Sequence, residues 1–289
     1  MDLSVIIPCY NAADTIAVQL DALVKQEWSG SWEIIIANNK STDASMTIVQ
    51  RYKDQFPHLR IVDASARQGP AYAANTAARV ASGNALAFCD ADDEVERSWV
   101  ATMGEALQQY DFVACRIDTQ KLNPRVQQSQ RSPQEFGLQR IWYPPYLPHA
   151  GRGTLGVKRV LFENVGGFDE TLLCCEDTDF CIKLQNIGVK LHFVYDAVIN
   201  IRYRRTLHGV FLQSRNYAEY NVLIFKKYHA ENIEKDNFKL WKTYFSDWWR
   251  VVSHLPNLCN TSSRYWWMWR FGRQVGRLRG SIKYWTAPI

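Results

Sequence analysis

The amino-acid sequence predicts an α/β protein with a mostly parallel, Rossmann-like sheet flanked by helices and a helical C-terminal extension. Two observations support this fold class. Short runs rich in β-branched residues alternate with helical apolar patterns over the first 115 residues. Polar and acidic side chains follow directly after these runs, at the strand ends where parallel sheets bind their ligands.

The first half alternates short apolar strands with helical patterns. We expect strands at residues 3–9, 33–37, 59–62 and 85–89. We expect helices at residues 15–26, from the candidate N-cap Asp43 to Tyr52, and over the alanine-rich residues 71–81. This alternation favours parallel pairing, with helices covering both faces of the sheet.

The second half begins with a polar, Gln-rich stretch at residues 118–132, which is typical of a loop or connector. The patterns after it predict a strand at 153–157, a helix at 177–186, a closing β pair from 190–194 and 198–203, and an amphipathic helix at 210–228. We find no internal repeat and no low-complexity segment.

Charge is distributed unevenly along the chain. Its 289 residues are 47% hydrophobic and 22% charged, which excludes wholesale disorder. The formal net charge of +5 is too small to predict a nucleic-acid partner, and we expect none. Residues 241–289, the C-terminal segment, nevertheless hold eight Lys or Arg residues, one acid and seven of the 11 tryptophans. The remainder of the chain is close to neutral.

The cysteines and the N-terminus indicate a cytoplasmic protein. The seven cysteines form no CxxC pair and have no zinc-ligand spacing, which favours reduced, mostly packed thiols. The N-terminus has no basic region followed by a long apolar run, so we expect no signal peptide. We also find no uncharged apolar run of the roughly 18–20 residues that a membrane span needs.

The strongest chemical signal is the acidic cluster, Asp90, Asp92 and Asp93, which follows an apolar strand. Three carboxylates within four residues repel one another unless a positive charge lies nearby. Carboxylate oxygens at a strand end suit Mg²⁺ or Mn²⁺, ions that in turn hold phosphate oxygens. The alternative is a helix start, where acids favour the positive end of the helix dipole.

A series of motifs extends this signal along the chain. They are SVIIPCYN at 4–11, EIIIANNKSTD at 33–43, GPAYAAN at 69–75, the acidic cluster, GGFDE at 166–170, EDTDF at 176–180 and Tyr203-Arg204. In order and spacing they resemble glycosyltransferase family 2, over roughly residues 3–228.

The resemblance implies a GT-A fold, a divalent metal and inversion at the anomeric carbon. It places the nucleotide-sugar donor against residues at the strand ends and helix starts of the first half. These are Pro8, Tyr10, Asn11, Asn38, Asn39, Arg67, Gly69, Asn75, Asp90, Ala91 and Asp92.

Two positions depart from the family pattern. Asn38 stands where the family usually has an Asp that reads the base, and an amide both donates and accepts hydrogen bonds. We expect UDP as the nucleotide, but the Asn at position 38 leaves other bases possible. Ala74 stands where the family often has an Arg, so a diphosphate contact is either missing or supplied by Arg67.

The resemblance also implies roles at the reacting centre. Asp90 and Asp92 would hold Mn²⁺ or Mg²⁺, with His208 as a further candidate ligand. Asp177 would be the base that takes the acceptor proton, with Glu176 orienting the acceptor or supporting a loop. Helix capping is the alternative for this acidic pair.

Other residues follow from position in the family pattern. His149, Arg152 and Thr154 precede the strand that begins the acceptor pocket, and we expect Thr154, Arg204 and Gln213 to contact the acceptor or the diphosphate. We expect Gly166 and Gly167 to form a turn. The functional division is then 1–117 for the nucleotide-sugar, 118–232 for the acceptor and the base, and 233–289 for a basic, Trp-rich helical tail.

Tryptophans interleaved with basic residues in the C-terminal segment are typical of helices that lie on a membrane surface. A hairpin packed on the body, or an RNA-binding surface, are the alternatives. We expect peripheral association with the inner face of the membrane.

The sequence thus predicts an inverting glycosyltransferase that moves a sugar to a lipid-linked or glycan acceptor in surface polysaccharide or lipopolysaccharide-type synthesis. Two alternatives remain at this point. One is a nucleotidyltransferase-like enzyme, although the first strand lacks the Gly-rich loop typical of that class. The other is a non-catalytic, membrane-recruited scaffold that keeps the fold.

Overall fold

A computed structural model describes residues 1–124, 132–229, 233–287 and 289. These residues form two compact units. The first comprises Met1–Leu122, Ser132–Arg140 and Leu147–Arg202, and the second comprises 141–146, 203–289 and the described part of 123–131. Residues 125–131 of the expected connector lie outside the described residues. The functional division at 117 and 232 stays a prediction.

The first unit is built on an eight-stranded sheet. Its strands are β1 (Leu3–Cys9), β2 (Trp32–Asn38), β3 (Leu59–Asp63), β4 (Ala85–Phe88), β5 (Glu94–Val95), β6 (Phe112–Asp118), β9 (Leu155–Lys158) and β10 (His192–Asn200). Their order is β3-β2-β1-β4-β9-β6-β10-β5. β9 runs antiparallel between β4 and β6, and β5 runs antiparallel to β10. A two-stranded ribbon joins β7 (Gln139–Arg140) to β8 (Pro148–His149).

Helices cover both faces of this sheet, as the continuous apolar strands predict. They are α1 (Ile16–Leu23), α2 (Ser45–Gln50), α3 (Pro70–Val80), α4 (Trp99–Gln109), α5 (Arg159–Asn164) and α6 (Glu176–Asn186). Along β1, Val5 and Ile7 pack in one hydrophobic core with Trp99, whereas Ile6 packs in a second core with Phe88 and Phe180. The mostly parallel α/β class is therefore confirmed.

The alanines of α3 explain how this helix approaches the sheet. Ala73, Ala74 and Ala77 are fully buried in the second core, where their small side chains let the helix lie close to β1 and β2. The position at which the family often has an arginine is thus a core position in this chain.

Three local predictions need correction. Residues 190–194 and 198–203 do not pair with each other, because both segments lie along β6 as the single strand β10, with a register shift between Val194 and Val198. Asp43 is not the N-cap of α2, which begins one residue later, after Ala44. Gly153 lies in a 3-10 turn, Arg152–Thr154, and the strand expected from residue 153 begins at Leu155.

The second unit contains the long helices α7 (Leu207–His229), α8 (Ile233–Ser253) and α9 (Thr261–Tyr284). Gly272, Gly276 and Gly280 of α9 form a stripe against α7. An added Cβ at Gly272 would lie 2.6 Å from the Phe211 carbonyl oxygen, and one at Gly276 would collide with the Arg215 carbonyl oxygen. At Gly280 it would lie 2.8 Å from Val222 Cβ. The two helices can approach closely because these positions lack side chains. Among the described residues, no helix combines the length and apolar character that a membrane span requires.

Candidate active site

The candidate site lies where β1, β2 and β4 end at the carboxyl edge of the parallel sheet. Hydrogen bonds lock the loops after β1 and β2 together. Asn11, held at a φ of 47°, accepts from the Thr42 backbone N–H at 2.8 Å through its Oδ1, and its own N–H donates to Ser41 Oγ at 3.1 Å. Asn38 Oδ1 accepts from the Ser41 N–H at 3.0 Å. Pro8 is half-buried beside this joint and Tyr10 is exposed.

Asn39 binds the next loop rather than facing outward. Its amide nitrogen donates to the carbonyl oxygens of Ala64 at 2.6 Å and Arg67 at 2.8 Å. Its Oδ1 accepts from the Gly69 N–H at 2.8 Å. The φ of Gly69 is 145°, a conformation that glycine adopts easily because it has no side chain. In the structure, the buried Asn39 side chain orders the loop before α3. Its role in donor binding stays a prediction.

Asn75 makes a comparable clasp on the GGFDE loop. Its Nδ2 donates to the Phe168 carbonyl oxygen at 2.8 Å and to Glu170 Oε1 at 2.9 Å, and its Oδ1 accepts from the Phe168 N–H at 3.0 Å. Glu170 also pairs with the exposed Arg67 at 3.5 Å. The expected turn is confirmed, since Gly166 and Gly167 have φ values of 74° and 66°. The direct contact of Asn75 or Arg67 with the donor stays a prediction.

The acidic cluster is closely spaced in the structure. Asp90, Asp92 and Asp93 each offer a carboxylate oxygen, and these oxygens lie within 4.8 Å of one another. Asp93 is buried and accepts from the Arg202 N–H at 3.1 Å. Burial raises the pKa of Asp93 well above its usual range, and the charges of Asp90 and Asp92 raise it further. Ala91 between them is buried.

The donor atoms of this cluster fit a divalent cation. Three hard carboxylate oxygens suit Mg²⁺ or Mn²⁺, and a cation would relieve the repulsion that raises the pKa of Asp93. The alternative of a helix start is weaker, since α4 begins only at Trp99.

A second acidic group, Glu176 and Asp177, opens α6. Asp177 is half-buried, and its Oδ1 accepts from the Thr178 N–H at 2.6 Å. Glu176 is buried; burial and the neighbouring Asp177 raise its pKa to about 7, although Arg152 acts in the opposite direction. The acids also favour the start of α6 electrostatically, but the N-cap is Cys175, with a φ of 62° and no side-chain capping bond. Capping alone therefore does not account for the pair.

Arg152 joins the two acidic groups. Its Nη2 lies 2.8 Å from Asp90 Oδ1, and its Nε lies 3.2 Å from Glu176 Oε1. Its backbone N–H donates to Asp177 Oδ2 at 3.1 Å. Burial opposes the charge of Arg152, but the acids prevail and hold its pKa above the usual value. From the sequence, Arg152 is expected only to lie near the acceptor pocket, and this link between the acidic groups is not predicted.

Thr154 supports the turn that carries Arg152. Its Oγ1 donates to the Gly151 carbonyl oxygen at 2.6 Å and accepts from Gln134 Nε2 at 2.7 Å. Thr154 is buried, and its predicted contact with the acceptor or diphosphate stays a prediction. His149, on β8, lies with Nδ1 3.4 Å from Thr178 Oγ1, and burial lowers its pKa.

The remaining predicted residues belong to the second unit. Arg204 is exposed three residues before α7, and His208 is exposed in the first turn of this helix. Gln213 lies further along α7, and its Nε2 donates to the Tyr217 hydroxyl at 3.3 Å. Their roles in metal, diphosphate or acceptor binding stay predictions.

Known proteins resemble this chain in sequence and in fold. The family model described as Glycosyl transferase family 2 matches residues 4–166. The chain is 42% identical over 118 residues to YibD, an uncharacterized glycosyltransferase of Escherichia coli K12, which covers 40% of this chain and 34% of YibD. It is 32% identical over 99 residues to WfgD of Escherichia coli, a UDP-Glc:α-D-GlcNAc-diphosphoundecaprenol β-1,3-glucosyltransferase, covering 34% of this chain and 36% of WfgD. The matches thus span about a third of each relative.

Among solved structures, the chain resembles the mannosyltransferase PcManGT of Pyrobaculum calidifontis in complex with GDP-Man and Mn²⁺. The TM-score is 0.65 at 19% identity, over 96% of this chain and 86% of that one. This likeness confirms the GT-A type of fold. Because the family model covers more than half of the chain and its motifs converge at one edge of the sheet, the chain belongs to glycosyltransferase family 2.

Proposed function

We propose that this protein is an inverting, metal-dependent glycosyltransferase that moves one sugar from a nucleotide-diphospho-sugar to a lipid-linked or glycan acceptor in surface polysaccharide or lipopolysaccharide-type synthesis. The observation that carries the proposal is the pairing of two acidic groups through Arg152. One group suits a cation that holds a diphosphate, and the other supplies a base beside it. Family membership favours sugar transfer over nucleotidyl transfer.

Asp92 and Asp90 would hold the Mn²⁺ or Mg²⁺, and Asp93 supports them from its buried position. Such an ion acts as a Lewis acid that stabilises charge on the departing nucleoside diphosphate. Pro8, Tyr10 and Asn11 at the end of β1 would line the base and ribose, beside Asn38. We propose UDP as the nucleotide; WfgD uses UDP-Glc, whereas PcManGT was solved with GDP-Man.

Asp177 is the proposed base. An acceptor oxygen attacks the anomeric carbon as the bond from that carbon to the diphosphate oxygen breaks, and the hydroxyl proton passes to the Asp177 carboxylate. Asp177 suits this role better than Glu176, because it is half-buried whereas Glu176 is buried against Arg152. Attack opposite the leaving group inverts the anomeric configuration.

We also propose that the C-terminal segment holds the protein peripherally on the inner face of the membrane, where a lipid-linked acceptor would be presented. α8 has two different faces. Tyr244 and Val251 are buried, and Trp248 packs on Phe271 of α9 with ring centroids 6.1 Å apart. An adjoining side of the helix exposes Trp241, Phe245, Trp249 and Val252.

This apolar stripe of α8 suits a lipid surface. Its residues are spaced by three or four along one side of the helix. Phe245 is 62% exposed and Trp249 is 72% exposed. Tryptophan favours the headgroup boundary, and the exposed Lys242 beside the stripe suits anionic lipid. The alternative of Trp used for packing accounts for Trp248 and for Trp267, which stacks on Phe271, but not for the stripe.

Loss of one carboxylate from either acidic group tests the reaction. We expect Asp92→Asn and Asp177→Asn each to lower Mn²⁺-dependent release of nucleoside diphosphate from the active donor by about a hundredfold or more. The exposed Asp54→Asn serves as the matched control and should keep wild-type activity. A donor panel of UDP-, GDP- and dTDP-sugars identifies the donor; if none is bound or turned over, the enzyme proposal fails in favour of the non-catalytic scaffold.

The glycines that flank Arg152 provide a steric test. An added Cβ at Gly153 would lie 2.8 Å from Asp90 Oδ2, whereas one at Gly151 would lie 3.9 Å from Asp177 Oδ2, an ordinary contact. We therefore expect Gly153→Ala to lower transfer by about tenfold or more by displacing Asp90. Gly151→Ala should stay near wild type in the same steady-state assay. Equal activity of the two variants would contradict the tight placement of Asp90.

Vesicle sedimentation tests the stripe. We expect binding to phosphatidylglycerol-containing vesicles, and a loss of about tenfold or more in the Phe245→Ser/Trp249→Ser variant because two large apolar side chains leave the lipid boundary. Phe136→Ser is a matched control, since Phe136 is 71% exposed but lies outside the C-terminal segment. Full activity on a soluble acceptor without vesicle binding would contradict the membrane proposal. Binding to single-stranded RNA instead of to vesicles would also contradict it.

A further inference from the structure

Arg152 is placed to do more than balance charge. Its three hydrogen-bonded groups reach both acidic groups at once: Nη2 holds Asp90, Nε holds Glu176, and the backbone N–H holds Asp177. The remaining guanidinium nitrogen, Nη1, is buried and has no hydrogen-bond partner among the described residues. A guanidinium donates through a rigid fork, so a change at one contact is felt at the others.

The backbone around Arg152 is fixed against Asp90. Gly153 approaches Asp90 so closely that even a Cβ would collide. The turn is also closed by the Thr154 hydroxyl on the Gly151 carbonyl and braced by Gln134. These hydrogen bonds restrict movement of the turn, so we expect a change in the contact between Arg152 and Asp90 to come mainly from their side chains.

Asp90 can bind two different cations, the Arg152 guanidinium and a divalent ion. Its Oδ1 binds the Arg152 guanidinium at 2.8 Å, and it belongs to the carboxylate cluster that suits a divalent ion. Two positive charges near one carboxylate repel each other, and a carboxylate oxygen that ligates a metal is a weaker acceptor for the guanidinium. Binding of a divalent ion to Asp90 should therefore weaken its ion pair with Arg152, and the ion pair should weaken binding of the divalent ion.

We propose that Arg152 is a positioning residue that competes with the divalent ion for Asp90 and, once displaced, binds an anionic oxygen of the donor diphosphate. The proposal rests on the proposed function. Displacement frees Nη2 and leaves Nη1 and Nη2 both available, while the bond from Nε to Glu176 can persist. Arg152 would thus link arrival of the metal-bound donor to the Glu176–Asp177 pair.

The two roles of Arg152 predict opposite changes in one variant. In Arg152→Gln, we expect Mn²⁺ alone to bind about tenfold or more tightly, because a competing positive charge is gone. UDP at saturating Mn²⁺ should bind about tenfold or more weakly, because a charged donor to the diphosphate is lost. Free Mn²⁺ is measured by electron paramagnetic resonance and UDP by calorimetry. A purely structural role would weaken both.

Further variants separate charge from geometry and from folding. Arg152→Lys keeps the charge without the fork, so its Mn²⁺ affinity should stay near wild type while UDP binding falls. Arg97→Gln is the matched control, since this exposed arginine pairs with the equally exposed Glu27. If Arg152→Gln does not fold because Glu176 is left buried and unpaired, Arg152→Gln/Glu176→Gln removes both charges and should still bind Mn²⁺ more tightly than wild type.

An Mn²⁺ affinity that is unchanged or lower in the Gln variants would overturn the proposal, as would UDP binding that is unchanged or tighter. These outcomes differ from failure of the proposed function, in which the wild-type protein neither binds nor turns over any nucleotide-sugar. The Mn²⁺ measurement remains decisive in that case too, because it compares affinities for the metal alone. If neither wild type nor Arg152→Gln binds Mn²⁺, the proposal also fails.

Discussion

Mutual repulsion among five carboxylates is the constraint on which the site depends. Asp90, Asp92 and Asp93 follow β4, and Glu176 and Asp177 open α6. Both groups contact one guanidinium, that of Arg152, or its backbone. Burial raises the pKa values of Asp93 and Glu176, and the charges of the neighbouring carboxylates raise them further. A cation within the acidic cluster, supplied by donor binding, would complete the compensation.

The fold provides this arrangement through β9. This strand runs antiparallel between β4 and β6, so the turn that precedes it lies at the edge where the parallel strands end. The turn delivers Arg152 directly beside the end of β4, from a part of the chain some 60 residues away. Gly153 allows the close approach, and Thr154 and Gln134 fix the turn. The clasps of Asn39 and Asn75 order the neighbouring loops in a similar way.

Local pattern was enough to predict the first half of the sheet, since β1 to β4 lie within a residue or so of the expected strands. It also indicated the acidic cluster, because three carboxylates directly after an apolar strand repel one another. Glu176 and Asp177 were identified through the family resemblance. The link that Arg152 makes between the acidic groups could not be predicted, since it comes from the long-range pairing of β9, which no local pattern reveals. The repulsion within the acidic cluster did indicate that a positive partner was needed. The predicted pairing of residues 190–194 with 198–203 was wrong for a related reason. Both segments pair with the same strand, β6, which is distant in sequence.

The central claim is that the acidic cluster binds a divalent cation next to the Glu176–Asp177 pair. An anomalous difference map from crystals grown with Mn²⁺ and UDP tests it most directly. The account predicts a manganese peak at bonding distance from Asp92 and Asp90, with the diphosphate bound to it and the Arg152 side chain turned from Asp90 toward a phosphate oxygen. Bound UDP without manganese at the cluster, or manganese held by other residues, would contradict it.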